Sequence, residues 1–237
     1  MEPKVPGVKC EQDFWSGATY IRDMFGKSIS ERPDEACAFG PYGGSAPRLS
    51  DREIRQALNG LFQAGAFTGT DLLVEEVECW RGYVRADYLC VRDDHLAVIE
   101  IKSDCDTLSR FDEQVRVYSA IADRVTLVVG WTLAARALRR APAWWQVLLV
   151  ERSEDSNPRF VMMRDGYRNH AVDATALLSM LPITDLRALA TDVGIRGRFP
   201  ARQLRELVAL HASDSNVRHA VRRWLTRIAD QRRTAQA

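Results

Sequence analysis

The sequence predicts an α/β protein whose core has the order α-β-β-β-α-β and whose C-terminal region is helical. Three observations lead to this prediction. A helical pattern begins after Ser50, short apolar runs suited to strands lie between residues 72 and 130, and the pattern is helical from about Asp173 onward. The chain has 237 residues, enough for one sizeable domain with an appendage or for two small domains.

The N-terminal part divides into an irregular arm and a helix. Residues 1–49 have weak periodicity and are interrupted by Pro and Gly, as in ERPDEACAFGPYGGSAPR, which predicts an irregular arm. The segment LSDREIRQALNGLFQ then places Ile54, Leu58 and either Leu61 or Phe62 on one face of a helix with Ser50 as its N-cap. The core is therefore expected to begin at residue 50.

Strands follow this helix. The runs LLVEEVECW and YVRADYLCV flank Arg81-Gly82, which favours a hairpin, and HLAVIEIK follows Asp93-Asp94 as a third strand. DTLSRFDEQVRVYSAIAD has helical spacing, and VTLVVG is typical of a buried strand. LAARALRRA predicts a helix, WQVLLVE a strand and RFVMMR one more strand, so the core is expected to span residues 50–165.

Composition excludes several classes of protein. Five cysteines without a C-x-x-C pair argue against a disulfide framework and against a zinc knuckle. No apolar run approaches the roughly 18 residues of a membrane span, and the N-terminus lacks the apolar segment of a signal peptide. We expect a cytoplasmic protein with reduced thiols and without a membrane partner.

Two acids and a lysine are expected to meet at the end of the third strand. Side chains alternate along a strand, so Glu100 and Lys102 share a face, and antiparallel pairing brings Asp87 beside Glu100. Asp87, Glu100 and the carbonyl of Ile101 are oxygen ligands suited to Mg²⁺ or Mn²⁺. A bound metal activates water for attack on a phosphodiester, and Lys102 can exchange a proton near neutral pH. The same spacing is also typical of a solvated Lys–Glu pair.

The helix after the third strand adds a polar stripe. Arg110, Gln114 and Tyr118 follow at i, i+4 and i+8 and are expected to face the same site. Arg85 has two interpretations, a phosphate contact or an ion pair with Glu76 or Glu78 across the hairpin. We expect Arg85, Arg110 and Tyr118 to line a nucleic-acid surface.

A resemblance gives these residues further roles. The set RAD (85–87), EIK (100–102) and QVRVY (114–118), with LSDREIRQAL before it, resembles the PD-(D/E)XK nuclease superfamily, and more closely a small bacterial and phage family within it. The resemblance covers about Leu49 to Gly130. It implies a restriction-endonuclease-like core with a mixed central sheet flanked by helices. It also implies that Asp87 and Glu100 bind the metal, that Lys102 is catalytic and that Gln114 supports the site.

The first helix is expected to add one more acid to this set. Such nucleases often take an additional carboxylate from that helix, which makes Glu53 a candidate metal ligand. Glu75 and Glu76 compete for this role, and the neighbours Arg52 and Arg55 offer Glu53 a surface ion pair instead. The superfamily's proline is absent, since Ala86 precedes Asp87.

The C-terminal region, residues 166–237, is basic. From Pro182 to Ala237 there are eleven arginines against five acidic residues, whereas the whole chain carries a net charge of +1. Residues 182–212 resemble a SAP-type helix–extended–helix module, a small DNA-binding fold, which implies that Arg196, Arg198 and Arg202 contact DNA. The alternative is a helical cap on the core with a solvated arginine face.

Together these observations predict a metal-dependent deoxyribonuclease that acts in repair, recombination or phage-related processing. Its partner would be DNA and its cofactor Mg²⁺ or Mn²⁺. The alternative from the same residues is a non-catalytic DNA-binding or repair accessory protein that keeps the nuclease fold.

Overall fold

The computed structural model describes residues 48–63, 72–92, 95–153 and 156–236. In these ranges the chain forms a mixed six-stranded sheet with helices on both faces. The predicted arm lies outside the described residues except for its last two positions, and so does the predicted turn at Asp93 and Asp94.

The elements follow the predicted order. The core contains α1 (Asp51–Gln63), β1 (Leu72–Cys79), β2 (Val84–Arg92), β3 (His95–Lys102), α2 (Phe111–Ile121), β4 (Arg124–Gly130), α3 (Trp131–Arg140), β5 (Gln146–Arg152) and β6 (Pro158–Arg164). A short 3₁₀ turn, Trp80–Gly82, joins β1 to β2. The C-terminal region contains α4 (Ala174–Met180), α5 (Ile183–Asp192), α6 (Ala201–His211) and α7 (Asp214–Gln236). The predicted α/β class with a helical C-terminal region is confirmed.

The strands lie in the sheet in their chain order, β1 to β6. The pairs β1–β2, β2–β3 and β5–β6 are antiparallel, whereas β3–β4 and β4–β5 are parallel and are connected through α2 and α3. Parallel neighbours require such a crossover, which puts helices against the sheet. As a result β3 lies inside the sheet, with β2 on one side and β4 on the other.

The sheet separates two apolar cores. On one face α1 covers Tyr88, Ile99 and Val128, while the other face packs against α2, α3 and the C-terminal helices. Helix α7 turns an apolar face into this second core, where Val217, Val221 and Leu225 are buried. Within the described ranges, no helix is both long enough and apolar enough to cross a membrane.

Candidate functional site

A polar cavity of about 460 Å³ opens where β2 begins and β3 ends. It lies between α1, the β1–β2 hairpin and the start of α2. Four of the residues grouped by sequence reasoning, Asp87, Glu100, Lys102 and Gln114, line it together with Ile101. The other lining residues are Asp51, Arg55, Glu76, Glu78, Gly82, Tyr83, Val84, Arg85, Asp106, Arg110 and Glu113.

Glu100 is the most deeply buried acid of this cavity, with 2% of its surface exposed. Its Oε1 accepts hydrogen bonds from Lys102 Nζ and Gln114 Nε2, and its Oε2 accepts one from the Tyr118 hydroxyl at 2.6 Å. Burial and the nearby Asp87 carboxylate raise the pKa of Glu100 to about 7, although the Lys102 ammonium and the Tyr118 hydroxyl favour the charged form. Three donors thus converge on one carboxyl group.

Asp87 lies where the regular alternation of β2 breaks. Val84 and Ala86 face the second core, and so do Leu89 and Val91, so the alternation reverses between Ala86 and Leu89. Asp87 directly precedes the first β2–β3 pair, Tyr88 opposite Ile99, and its Oδ2 accepts a hydrogen bond from the Ile101 amide at 2.7 Å. Strict alternation along β2, which would put Asp87 on the same face as Leu89 and Val91, therefore does not hold.

A residue missed by sequence reasoning, Arg55 of α1, neutralises Asp87. Its guanidinium contacts the Asp87 carboxylate and also pairs with Asp51 and, at 2.8 Å, with Glu76. Burial raises the pKa of Asp87, while the Ile101 amide and Arg55 act against that rise. The cavity acids thus have cationic partners from the chain itself, Arg55 for Asp87 and Lys102 for Glu100.

Glu53 lies outside the cavity. Its Oε2 accepts a hydrogen bond from the Ser50 amide at 2.9 Å, the Ser50 hydroxyl accepts one from the Glu53 amide, and together they cap α1. The other carboxylate oxygen pairs with Arg152 of β5 at 2.6 Å. The hydrogen bonds from Ser50 and the pairing with Arg152 lower the pKa of Glu53 to about 2. These contacts point its carboxylate at the helix end and at β5.

The three core residues predicted to contact nucleic acid differ in burial and in their partners. Tyr118 is fully buried beside Trp145, and its hydroxyl donates to Glu100 and lies 3.1 Å from the Arg85 carbonyl, so the predicted nucleic-acid contact is corrected. Arg85 forms the ion pair with Glu76 at 2.6 Å, one of its two interpretations. Arg110 is exposed at the cavity mouth.

The described residues contain no group of three or more His, Cys, Asp or Glu side chains placed to hold a metal ion. Of the seven carboxylates that line the cavity, Asp87 and Glu100 are the two that the sequence predicts as metal ligands. A divalent ion there would need water molecules for most of its coordination, which Mg²⁺ accepts more readily than other ions.

Most arginines of the C-terminal region have ion-pair or hydrogen-bond partners within the chain. Arg205 is buried and donates to the carbonyls of Leu178 and Ala201. Arg218 of α7 pairs with the buried Asp123 at 2.7 Å. Further pairs join Arg202 to Glu206, Arg223 to Asp192, Arg227 to Asp185 and Arg233 to Asp230, and Arg232 donates to the Glu75 and Glu76 carbonyls.

Three arginines around the α5–α6 connection are different. Arg187, Arg196 and Arg198 are exposed and form no ion pair with any residue in the described part of the chain. The residues on either side of Arg196 and Arg198 pack inward, since Ile195 donates to the Ala190 carbonyl and both Ile195 and Phe199 pack on the second core. Gly194 and Gly197, with φ of 81° and 119°, permit the backbone path that displays the two arginines.

Comparison with known proteins places the chain among phage proteins. Residues 48–234 match the family model described as bacteriophage P4 protein cII. The protein cII of Enterobacteria phage P4 is 28% identical to this chain over 153 residues, which cover 63% of this chain and 56% of that relative. The chain therefore spans little more than half the length of the curated relative it matches.

These comparisons overturn the nuclease interpretation. Both lead to phage P4 protein cII and neither leads to the PD-(D/E)XK superfamily, so the predicted membership in that superfamily is wrong. The same comparisons contradict the predictions of an enzyme and of a deoxyribonuclease. In the structure, Asp87 and Glu100 are engaged by Arg55 and Lys102 in an internal ion-pair network.

Proposed function

The chain belongs to the bacteriophage P4 protein cII family, and from this membership and the three free arginines we propose that it is a non-catalytic protein that binds duplex DNA. A protein that binds DNA without changing it acts by occupying it, so the proposed role is regulatory. The observation that carries the proposal is the contrast within the C-terminal region. Most of its arginines pair with other residues of the chain. Arg187, Arg196 and Arg198 are instead exposed and form no ion pair among the described residues.

The chemistry of this surface favours phosphate contacts. Arg196 and Arg198 lie on either side of Gly197 in the α5–α6 connection, and both side chains are exposed. Arginine is suited to phosphate because its guanidinium donates in a fixed fork. Phe199 packs inward, and the connection exposes no aromatic ring for stacking on unpaired bases, which favours duplex over single-stranded DNA.

Salt dependence tests this proposal. Each phosphate contact contributes about 0.9 to the slope of log K against log salt concentration, so replacing Arg196 and Arg198 together with Ala is expected to reduce the slope by about 2. The measurement is fluorescence anisotropy with labelled duplex DNA at several salt concentrations. The control is the double variant Arg136→Ala and Arg139→Ala, which removes two exposed arginines of α3. Equal slopes for both double variants would contradict the proposed surface.

We propose a second, weaker site for Mg²⁺ or Mn²⁺ at Asp87 and Glu100. The support is the convergence of one buried carboxylate, Glu100, and one partly buried carboxylate, Asp87, on one open cavity. An ion at Asp87 has to displace the Arg55 guanidinium, so we expect affinity no tighter than millimolar. Titration calorimetry with MnCl₂ is expected to show saturable heat that Asp87→Asn removes. Absence of saturable heat in the unaltered protein would refute this site.

The restriction-endonuclease-like arrangement of the core, the SAP-like character of residues 182–212 and a cytoplasmic location all stay predictions. The DNA-binding proposal is independent of the first and is compatible with the other two.

A further inference from the structure

The two edges of the sheet differ in their contacts with the rest of the chain. At the β1 edge, Arg232 of α7 donates to the carbonyls of Glu75 and Glu76, and Glu76 has a positive φ of 48°. At the β6 edge, no residue in the part of the chain that the structure describes makes a hydrogen bond to the outer side of the strand. The backbone of β6 therefore has donors and acceptors available to another strand.

The strand β6 is apolar on both faces of the sheet. Phe160 and Met162 pack on the α1 side, whereas Val161 and Met163 pack on the second core. Val161, Met162 and Met163 are only partly buried, although they follow one another along the strand. An unpaired edge with apolar side chains on both faces is suited to continuing the sheet into another molecule.

Both arginines of β6 have partners in their own chain. Arg159 pairs with Glu151 on β5, and Arg164 donates to the carbonyls of Pro142 at 2.7 Å and Trp145 at 3.0 Å. Charged side chains on an edge strand commonly prevent it from pairing with another molecule. Because its two charges are already engaged, β6 has no unpaired charge that would repel another strand.

The distribution of charge along β6 favours pairing with an identical strand. Residues 158–162 pair with β5 in regular register, and a register shift follows. Antiparallel pairing of this regular segment with its own copy puts Phe160 at the centre, opposite the second Phe160, and Arg159 opposite Val161. Two aromatic rings then meet across the strands and no like charges are opposed. Pairing about a point farther along β6, with Arg159 opposite Arg164, would oppose like charges.

We propose that β6 is a dimerisation surface and pairs antiparallel with β6 of a second copy of this chain. The two six-stranded sheets then form one continuous sheet with a twofold axis at Phe160. Each face of the strand meets the same face of its copy, so both apolar layers continue across the axis. Closed twofold dimers are the commonest assembly of soluble proteins. The surface is separate from the proposed DNA surface, which uses the α5–α6 connection.

Self-association of the full chain without DNA tests this proposal. Sedimentation velocity over a concentration series is expected to show a monomer–dimer equilibrium in the micromolar range, because one strand pair is a small interface. Val161→Lys puts a cation opposite Arg159 twice in each dimer, whereas Val161→Glu puts an acid there. We expect the Glu variant to dimerise about tenfold more tightly than the Lys variant. Glu78→Gln, which changes the net charge equally on β1, is expected to leave the equilibrium unchanged.

Hydrogen exchange of the unaltered protein gives a second readout that needs no substitution. Amides of residues 158–162 are expected to become more protected as the protein concentration rises. Circular dichroism establishes that each variant is folded before it is compared. The proposal is overturned by a monomer at every concentration, which would leave the β6 edge to a strand of another protein. It is also overturned by equal dimerisation of the two Val161 variants, or by added protection that lies outside β6.

Discussion

The buried carboxyl group of Glu100 gives a quantitative prediction for stability against pH. In the unfolded chain this group has an ordinary pKa of 4.5, and burial together with Asp87 raises the pKa in the folded protein to about 7. Between these values the unfolded state loses the proton while the folded state keeps it. The free energy of unfolding therefore decreases as pH rises from about 4.5 to 7. The difference between the two pKa values corresponds to about 3 kcal/mol.

The assay is urea unfolding of the unaltered protein and of Glu100→Gln between pH 4 and pH 8. The amide of Glu100→Gln does not titrate, and weaker pairing with Lys102 lowers the stability of this variant equally at every pH. The difference in free energy of unfolding between the unaltered protein and the variant therefore isolates the titration of Glu100. We expect the unaltered protein to lose about 3 kcal/mol relative to the variant across this range. If the difference in free energy of unfolding stayed constant across the range, or changed in favour of the unaltered protein, the Lys102 ion pair would outweigh burial.

Two further predictions concern the contacts that fix the core. Gly130→Ala would put a Cβ atom 2.5 Å from Asp104 Oδ1, which accepts the Thr132 amide at the start of α3, so we expect a loss of about 1 to 3 kcal/mol in denaturant unfolding. The matched change Gly60→Ala, in α1 with nothing within 4 Å, is expected to stabilise by up to about 1 kcal/mol. Asp123→Asn weakens the buried partner of Arg218 and of the Leu96 amide, with an expected loss of about 3 kcal/mol in the same assay. Asp214→Asn, which alters the exposed partner of Arg218, is expected to cost less than about 1 kcal/mol.

Local patterns predicted the elements of this fold well. The helix after Ser50, the strands of the hairpin and the apolar face of α7 all depend on side-chain spacing within one segment, and the structure has each of them. The buried strand VTLVVG forms β4 for the same reason. These predictions from side-chain spacing agree with the structure because each element buries the face that its own sequence makes apolar.

The site was harder to predict because its interactions are nonlocal. The partner of Asp87 is Arg55, 32 residues earlier on another element, and the alternation of β2 changes at Asp87 opposite Glu76, whose φ is 48°. The spacing of Asp87, Glu100 and Lys102 does not reveal whether the acids face a metal or are neutralised by the chain. Arg55, at i+4 from Asp51 on the polar side of α1, was the available signal.

The arginines of the C-terminal region show the same limit. Sequence alone gives eleven basic side chains in one region, but it does not separate structural arginines from free ones. Arg218 finds its partner Asp123 95 residues away, and Arg227 finds Asp185 42 residues away. Arg196 and Arg198 are distinguished only by lacking such partners among the described residues.

The most direct test of the account follows bound DNA over time. Purified protein is incubated with labelled duplex DNA and Mg²⁺ or Mn²⁺, and the same samples are resolved on native and on denaturing gels. We predict a retarded complex that weakens in the Arg196→Ala and Arg198→Ala double variant, with the DNA at full length throughout. Cleavage that disappears in Lys102→Ala would contradict the account.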